Sequence, residues 1–164
     1  MEKTEGRKAR EMERIGMRDR WIIGTKWMLD LMYVAGWGVT ICLPWEIRFL
    51  GRYDSRMETY YLPMVALFVL SGLLAELIIR ELRRMFASVL ADDCFVRENV
   101  VSLRRMSVYS LGIVLLTAMR ACLCLTPAAL VEILVFLTAG LFSRVLSQVF
   151  DRAVAYKLEN DLTI

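Results

Sequence analysis

Six charged residues interrupt stretches of the chain that are otherwise apolar: Lys26, Asp30, Glu76, Arg120, Glu132 and Arg144. In hydrocarbon each would cost roughly 2.5–3.5 kcal/mol at the bilayer centre, about 15–20 kcal/mol for the set, which rivals the stability of a whole domain. They need water or one another. Such residues either line a path for protons or ions, or form buried pairs that fix helix register. The balance of the charges, and their position toward the ends of the apolar stretches, favour pairing. Arg120 precedes the Thr126-Pro127 turn by about two helical turns and Glu132 follows it by slightly less, so the two are expected at similar depth on neighbouring helices. Lys26, Asp30, Glu76 and Arg144 fall together toward the opposite surface, and their charges also sum to zero. Lys26 is expected to snorkel, and Glu76 to be supported by Arg80 at i+4.

Other chemistry is hard to build from this composition. The chain contains no histidine, which excludes histidine ligation of haem and removes the commonest general base. Of the four cysteines, Cys122 and Cys124 are two apart and point away from each other on a helix. Cys42 lies within an apolar stretch and Cys94 in a charged one. The four read as small packing residues, and they imply neither a metal site nor a disulfide framework. Gly36-Trp37-Gly38 lies within an apolar stretch and lacks the strand and lysine of a phosphate-binding loop. No catalytic residue, cofactor or metal is expected.

The elements that position the six charges are legible from hydropathy. Of 164 residues, 57% are hydrophobic, more than a water-soluble domain of this size would readily bury, while the 24% that are charged cluster between apolar runs. A helix needs about 20 residues to cross the hydrocarbon core. Four runs qualify, at about 21–43, 60–79, 107–125 and 128–150. None shows the period-two alternation of a lipid-facing barrel, so helices are expected. Trp21, Trp45, Tyr60 and Tyr61 stand at span ends as an aromatic belt would. The small residues Gly36, Gly38, Ser71, Gly72, Ala139, Gly140 and Ser143 offer surfaces for close helix approach. The expected architecture is all-α: a polytopic membrane protein with four transmembrane helices in an antiparallel bundle.

Lys and Arg in the flanks set the expected orientation. Seven lie in the arm 1–20, six in the segment 80–106 and two after Phe150, whereas the opposite side carries three in 45–59 and none at the turn near Pro127. Fifteen against three places the N-terminus, the loop 80–106 and the C-terminal tail 151–164 in the cytoplasm. The first span is expected to remain as an anchor, because its basic flank is mixed with acids and no small-residue cleavage site follows it. A net charge of +3, with five acids interleaved among the basic residues of the arm, argues against direct nucleic-acid binding.

Two segments on the expected cytoplasmic side carry patterns of their own. In 80–106, Leu82, Met85, Phe86, Val89 and Leu90 recur at helical spacing, so the second span is expected to continue with one apolar face, and Glu98 or Asn99 to start the next helix. Such a segment can lie on anionic lipid with Arg83, Arg84, Arg104 and Arg105 toward headgroups, or its apolar face can hold a protein. The tail ends in LENDLTI, where Leu158, Leu162 and Ile164 alternate with polar residues. It is expected to dock on the loop, with Arg97, Arg104 and Arg105 meeting Glu159, Asp161 and the terminal carboxylate, and Phe95 covering Leu162 or Ile164.

The stretches FVRENVVSLRRM and VFDRAVAYKLENDLTI resemble a bacterial membrane family catalogued as domain of unknown function 2975. The residues that carry the resemblance are Phe95, Asn99, Leu103 and Arg104 in the first, and Glu159, Asn160, Asp161, Leu162, Thr163 and Ile164 in the second. The chain departs from the family pattern at Asp92, Cys94 and Ala153, where glycine or proline is usual. The resemblance is expected to cover all four spans. It implies four membrane helices and no established activity, and, because members are often encoded beside small helix-turn-helix regulators, a soluble regulator as partner. The expectation for function is a non-enzymatic accessory or regulatory protein of the cytoplasmic membrane, with a small oligomeric transport or export component as the alternative.

Overall fold

The computed structural model describes residues 2–50, 60–90 and 96–161, with side chains over 23–49, 60–88 and 96–159. The described chain is helical: α1 (Glu2–Leu50), α2 (Tyr61–Leu90), α3 (Arg97–Leu123) and α4 (Pro127–Asp161). Each contains a stretch long and apolar enough to cross a membrane: Ile23–Phe49, Tyr61–Ser88, Arg97–Leu123 and Pro127–Glu159.

The helices outrun the apolar cores read from the sequence. The 35 residues of α4 reach about 52 Å at 1.5 Å per residue, against a hydrocarbon thickness of about 30 Å, so one or both ends must project into water. Residues 151–161, expected as a separate tail, are the last turns of α4. The segment 80–106 is helix over most of its length, as the spacing of Leu82, Met85, Phe86, Val89 and Leu90 implied: α2 continues to Leu90, and α3 begins at Arg97, next to the expected start at Glu98 or Asn99. In α1, a single helix joins the charged arm to the first span.

Local chemistry explains the ends. Thr126 caps α4: the Ala129 N–H donates to the Thr126 carbonyl at 3.0 Å and to its Oγ1 at 3.3 Å. Pro127 follows at the first helical position, where its missing N–H costs nothing. At the end of α3, the Cys124 N–H closes the last turn on the Arg120 carbonyl at 2.9 Å. Pro44 interrupts the hydrogen-bond ladder of α1, and its own carbonyl accepts from Tyr61 Oη at 3.0 Å, which ties the end of α1 to the start of α2.

Consecutive helices run antiparallel. Asp30, Gly36 and Thr40 of α1 meet Arg83, Glu76 and Gly72 of α2 in descending order. Ser88 and Glu81 of α2 meet Asn99 and Ser102 of α3, and Arg104, Ser110 and Arg120 of α3 meet Asp151, Gly140 and Glu132 of α4. Among the described residues each helix packs on its chain neighbours, and other pairings are marginal. The antiparallel order matches expectation, but the arrangement is an open row, not a closed bundle. Polar contacts and small residues choose the seams. On α3, Ser107, Ser110 and Thr117 are buried, as are Ser143, Ser147 and Ala129 on α4, a small-residue interface of the kind that lets membrane helices approach closely. Among the described residues α1 packs mainly on α2, and Trp27, Val34, Ile41 and Trp45 are exposed. Outward apolar side chains of this kind suit lipid. Ile47, Met64 and Cys124 form a core at the end of the row nearest the α3–α4 turn, with Tyr61 and Phe68 packed against it.

Candidate functional site

The end of the row away from the α3–α4 turn concentrates polar side chains that sequence distance had kept apart. Its centre is Glu81 of α2, fully buried, which accepts from Ser102 Oγ of α3 at 2.8 Å and from Arg105 at 3.4 Å, with Arg84 at 3.7 Å. A carboxylate so enclosed is tolerable because its oxygens are met by a hydroxyl and two guanidinium groups. About two turns further along α2, the Asn99 amide of α3 donates to Ser88 Oγ at 2.8 Å, and that hydroxyl donates to the Met85 carbonyl at 2.8 Å. These contacts clamp the start of α3 onto the end of α2.

The flanking helices join through arginines. Arg104 reaches Asp151 of α4 at 3.0 Å, with Arg97 at 3.9 Å from the same carboxylate. On the other side Arg83 meets Asp30 of α1 at 2.6 Å and lies over the Tyr33 ring, 4.7 Å from its centroid. Between α2 and α3 the arrangement leaves an open groove of about 600 Å³, whose lining includes Arg84, Arg97, Arg105, Glu98, Ser88 and Asn99. Such a groove can bind an anionic or mixed-charge surface. Among the described residues no cluster of Cys, Asp and Glu has the arrangement of a metal site.

The second polar cluster lies near the α3–α4 turn. Arg120 and Glu132 are joined by an ion pair, Thr117 Oγ1 donates to the other Glu132 oxygen at 3.1 Å, and the Arg120 guanidinium stacks over Phe68 of α2 at 3.9 Å. Three helices meet on one buried arginine. Matched depth across a short turn was enough to place this pair.

The four inner charges are not a mutually paired layer. Asp30 is taken by Arg83, Lys26 and Arg144 are exposed, and Glu76 faces Gly36 of α1, with Oε2 buried and without a hydrogen-bond partner. Arg80 does not support Glu76 as expected. It stands exposed, whereas Glu76 is 4% exposed and turned into the α1–α2 seam. Of the motif residues, Asn99 and Leu103 are buried and Arg104 is half-exposed. Their contacts are internal. Of the arginines expected to dock on the tail, Arg97 and Arg104 reach Asp151 and Arg105 reaches Glu81, while the side chains of Asn160 and Asp161 lie outside the described residues. Glu159, Asn160 and Asp161 belong to α4, while Cys94, Phe95, Leu162, Thr163 and Ile164 lie outside the described residues.

The sequence reading missed Glu81, Ser88, Ser102 and Asp151. Glu81 sits in a run of arginines and reads as a solvated charge. The one local hint is its i,i+3 relation to Arg84.

These features define a class: an all-helical chain of four antiparallel helices, each able to cross a membrane, laced by ion pairs at both ends. A family model described as "Protein of unknown function (DUF2975)" matches residues 48–164, and the chain belongs to that family. The matched region takes in α2, α3, α4 and both motifs, but not the first span, which the resemblance was expected to include. No curated protein and no solved structure matches the chain.

Proposed function

We propose that this chain is a multi-pass protein of the cytoplasmic membrane, with both termini on the cytoplasmic side, that acts by binding a soluble protein and catalyses no reaction. The observation that carries the reading is the groove between α2 and α3, lined by Arg84, Arg97 and Arg105 and, of the motif residues, by Asn99. Asn99 ties the two walls of that groove together through Ser88, Arg104 fixes α3 to α4 through Asp151, and the exposed Arg97 and Glu98 serve as the contact surface. A small regulator of the helix-turn-helix type, presenting an acidic face, is a complementary occupant. Two supports for a non-enzymatic role are the lack of any histidine and the engagement of the buried Glu81 with Ser102 and Arg105.

The test is binding of a purified helix-turn-helix regulator to the full chain in phosphatidylcholine nanodiscs. The R97E variant is expected to weaken it at least tenfold, and R152E, which alters an exposed residue outside the groove, to leave it unchanged. Wild-type affinity in R97E would overturn the reading.

A second reading, a small oligomeric transport component, is favoured by the open row itself, since α1 and α4 expose long apolar flanks and Arg144 stands exposed on α4. Solute flux through vesicles containing the chain, abolished by cross-links between copies, would select it.

A further inference from the structure

Across the groove between α1 and α2 stand two cations, Lys26 and Arg80, with no acidic partner among the described residues. The groove encloses about 290 Å³. Its other charges are accounted for: Asp30 neutralises Arg83, and Arg84 leans toward the buried Glu81. The Asp30–Arg83 pair fixes the register. Lys26 lies one turn before Asp30 and Arg80 nearly one turn before Arg83, so on antiparallel helices the two free cations flank that pair from opposite directions along the groove.

Depth identifies what they meet. Arg80 is 19 residues beyond Tyr61, about 29 Å along α2, and the seam contacts of Gly36 with Glu76 and Thr40 with Gly72 set Lys26 about 9 Å farther toward the same surface. The first distance is close to the thickness of the hydrocarbon core, so Arg80 starts at its edge and Lys26 beyond it, and the two long side chains can approach the level of lipid phosphates from opposite sides. Trp27, 74% exposed beside Lys26, stands where interfacial aromatics do. Leu29 and Phe86 add apolar wall to the groove. Free inorganic phosphate would meet the same cations but would gain nothing from those walls, whereas a lipid phosphate is already held at this depth.

We propose that the α1–α2 groove binds one anionic glycerophospholipid, its phosphate held between Lys26 and Arg80 and its glycerol against Leu29 and Phe86. The site borders the α2–α3 groove at Arg84 and Ala87, but Lys26 and Arg80, the residues that define it, line the α1–α2 groove alone.

The experiment is native mass spectrometry of the full chain released from vesicles of phosphatidylcholine containing phosphatidylglycerol. One phosphatidylglycerol should be retained per chain, with retention at least tenfold lower in K26Q/R80Q, preserved in the charge-keeping K26R/R80K, and unaffected by R152Q. Thermal melting in pure phosphatidylcholine should be the same for all four proteins, which separates lipid loss from misfolding. Equal retention in K26Q/R80Q would overturn the proposal, as would a loss with R152Q as large as with K26Q/R80Q. Displacement of the lipid by millimolar inorganic phosphate would assign the cations to a free anion and overturn it too.

Discussion

Arg120 of α3 and Glu132 of α4 form an ion pair across the Thr126–Pro127 turn, and the same guanidinium lies over the Phe68 ring of α2. Three helices therefore depend on one arginine that is almost fully buried. Removing one partner of a buried pair typically costs about 3–5 kcal/mol, because the other charge is left without compensation. Arg120→Glu or Glu132→Arg alone should sharply reduce folded protein in detergent, and the double exchange should restore much of it. Recovery should be incomplete, since Phe68 would then face a carboxylate. A double exchange no better than the single changes would show that the pair contributes nothing.

Gly36 and Glu76 make a second testable contact. A methyl group added at Gly36 would collide with the Glu76 carboxyl group, which packs directly on the α1 backbone. Gly36→Ala should destabilise by about 1–3 kcal/mol, the usual range for overpacking. In the Glu76→Ala background the same change should cost far less, a coupling that a double-mutant cycle in thermal melting reads directly. Additive effects would mean that α1 and α2 do not meet here.

Burial sets the size of the next effects. Glu81 is fully buried and Ser102 almost so, and Ser102→Ala, which removes the hydroxyl donor at 2.8 Å, should cost about 1–3 kcal/mol. By contrast Arg104 and Asp151 are 48% and 37% exposed, and Asp151→Asn should cost under about 1 kcal/mol and lose even that in high salt. Melting of the two variants at low and high ionic strength checks both. The ranking is contradicted if Asp151→Asn is the more damaging.

How much of this was legible follows from sequence distance. Apolar runs reveal spans because lipid demands about 20 such residues in a row, but they do not show where a helix stops once it reaches water, and so the last turns of α4 read as tail, whereas the last turns of α2 were legible from the helical spacing of Leu82, Met85, Phe86, Val89 and Leu90. Arg120 and Glu132 were legible because a three-residue turn fixes their relative depth. Asp30 and Arg83 lie on different helices with the segment 51–60 between them, and nothing local pairs them. Gly36, Gly72, Gly140 and Ser143 do lie in helix seams as small residues should, whereas Gly38 has open space and Ala139 is exposed. Composition marks the small residues but not which face the neighbour will take.

In the proposed orientation the charged end of the row, with Glu81, Asn99, Arg104 and Asp151, stands in the cytoplasm where a soluble partner can reach it. In the sequence Cys94 falls between Leu90, the last residue of α2, and Arg97, the first of α3, and the other three cysteines can be removed as C42A, C122A and C124A. A membrane-impermeant maleimide applied to this single-cysteine protein should label Cys94 in inside-out vesicles and leave it unlabelled in intact cells, as the basic asymmetry of fifteen to three requires. Labelling in intact cells would place the charged end outside and contradict the account.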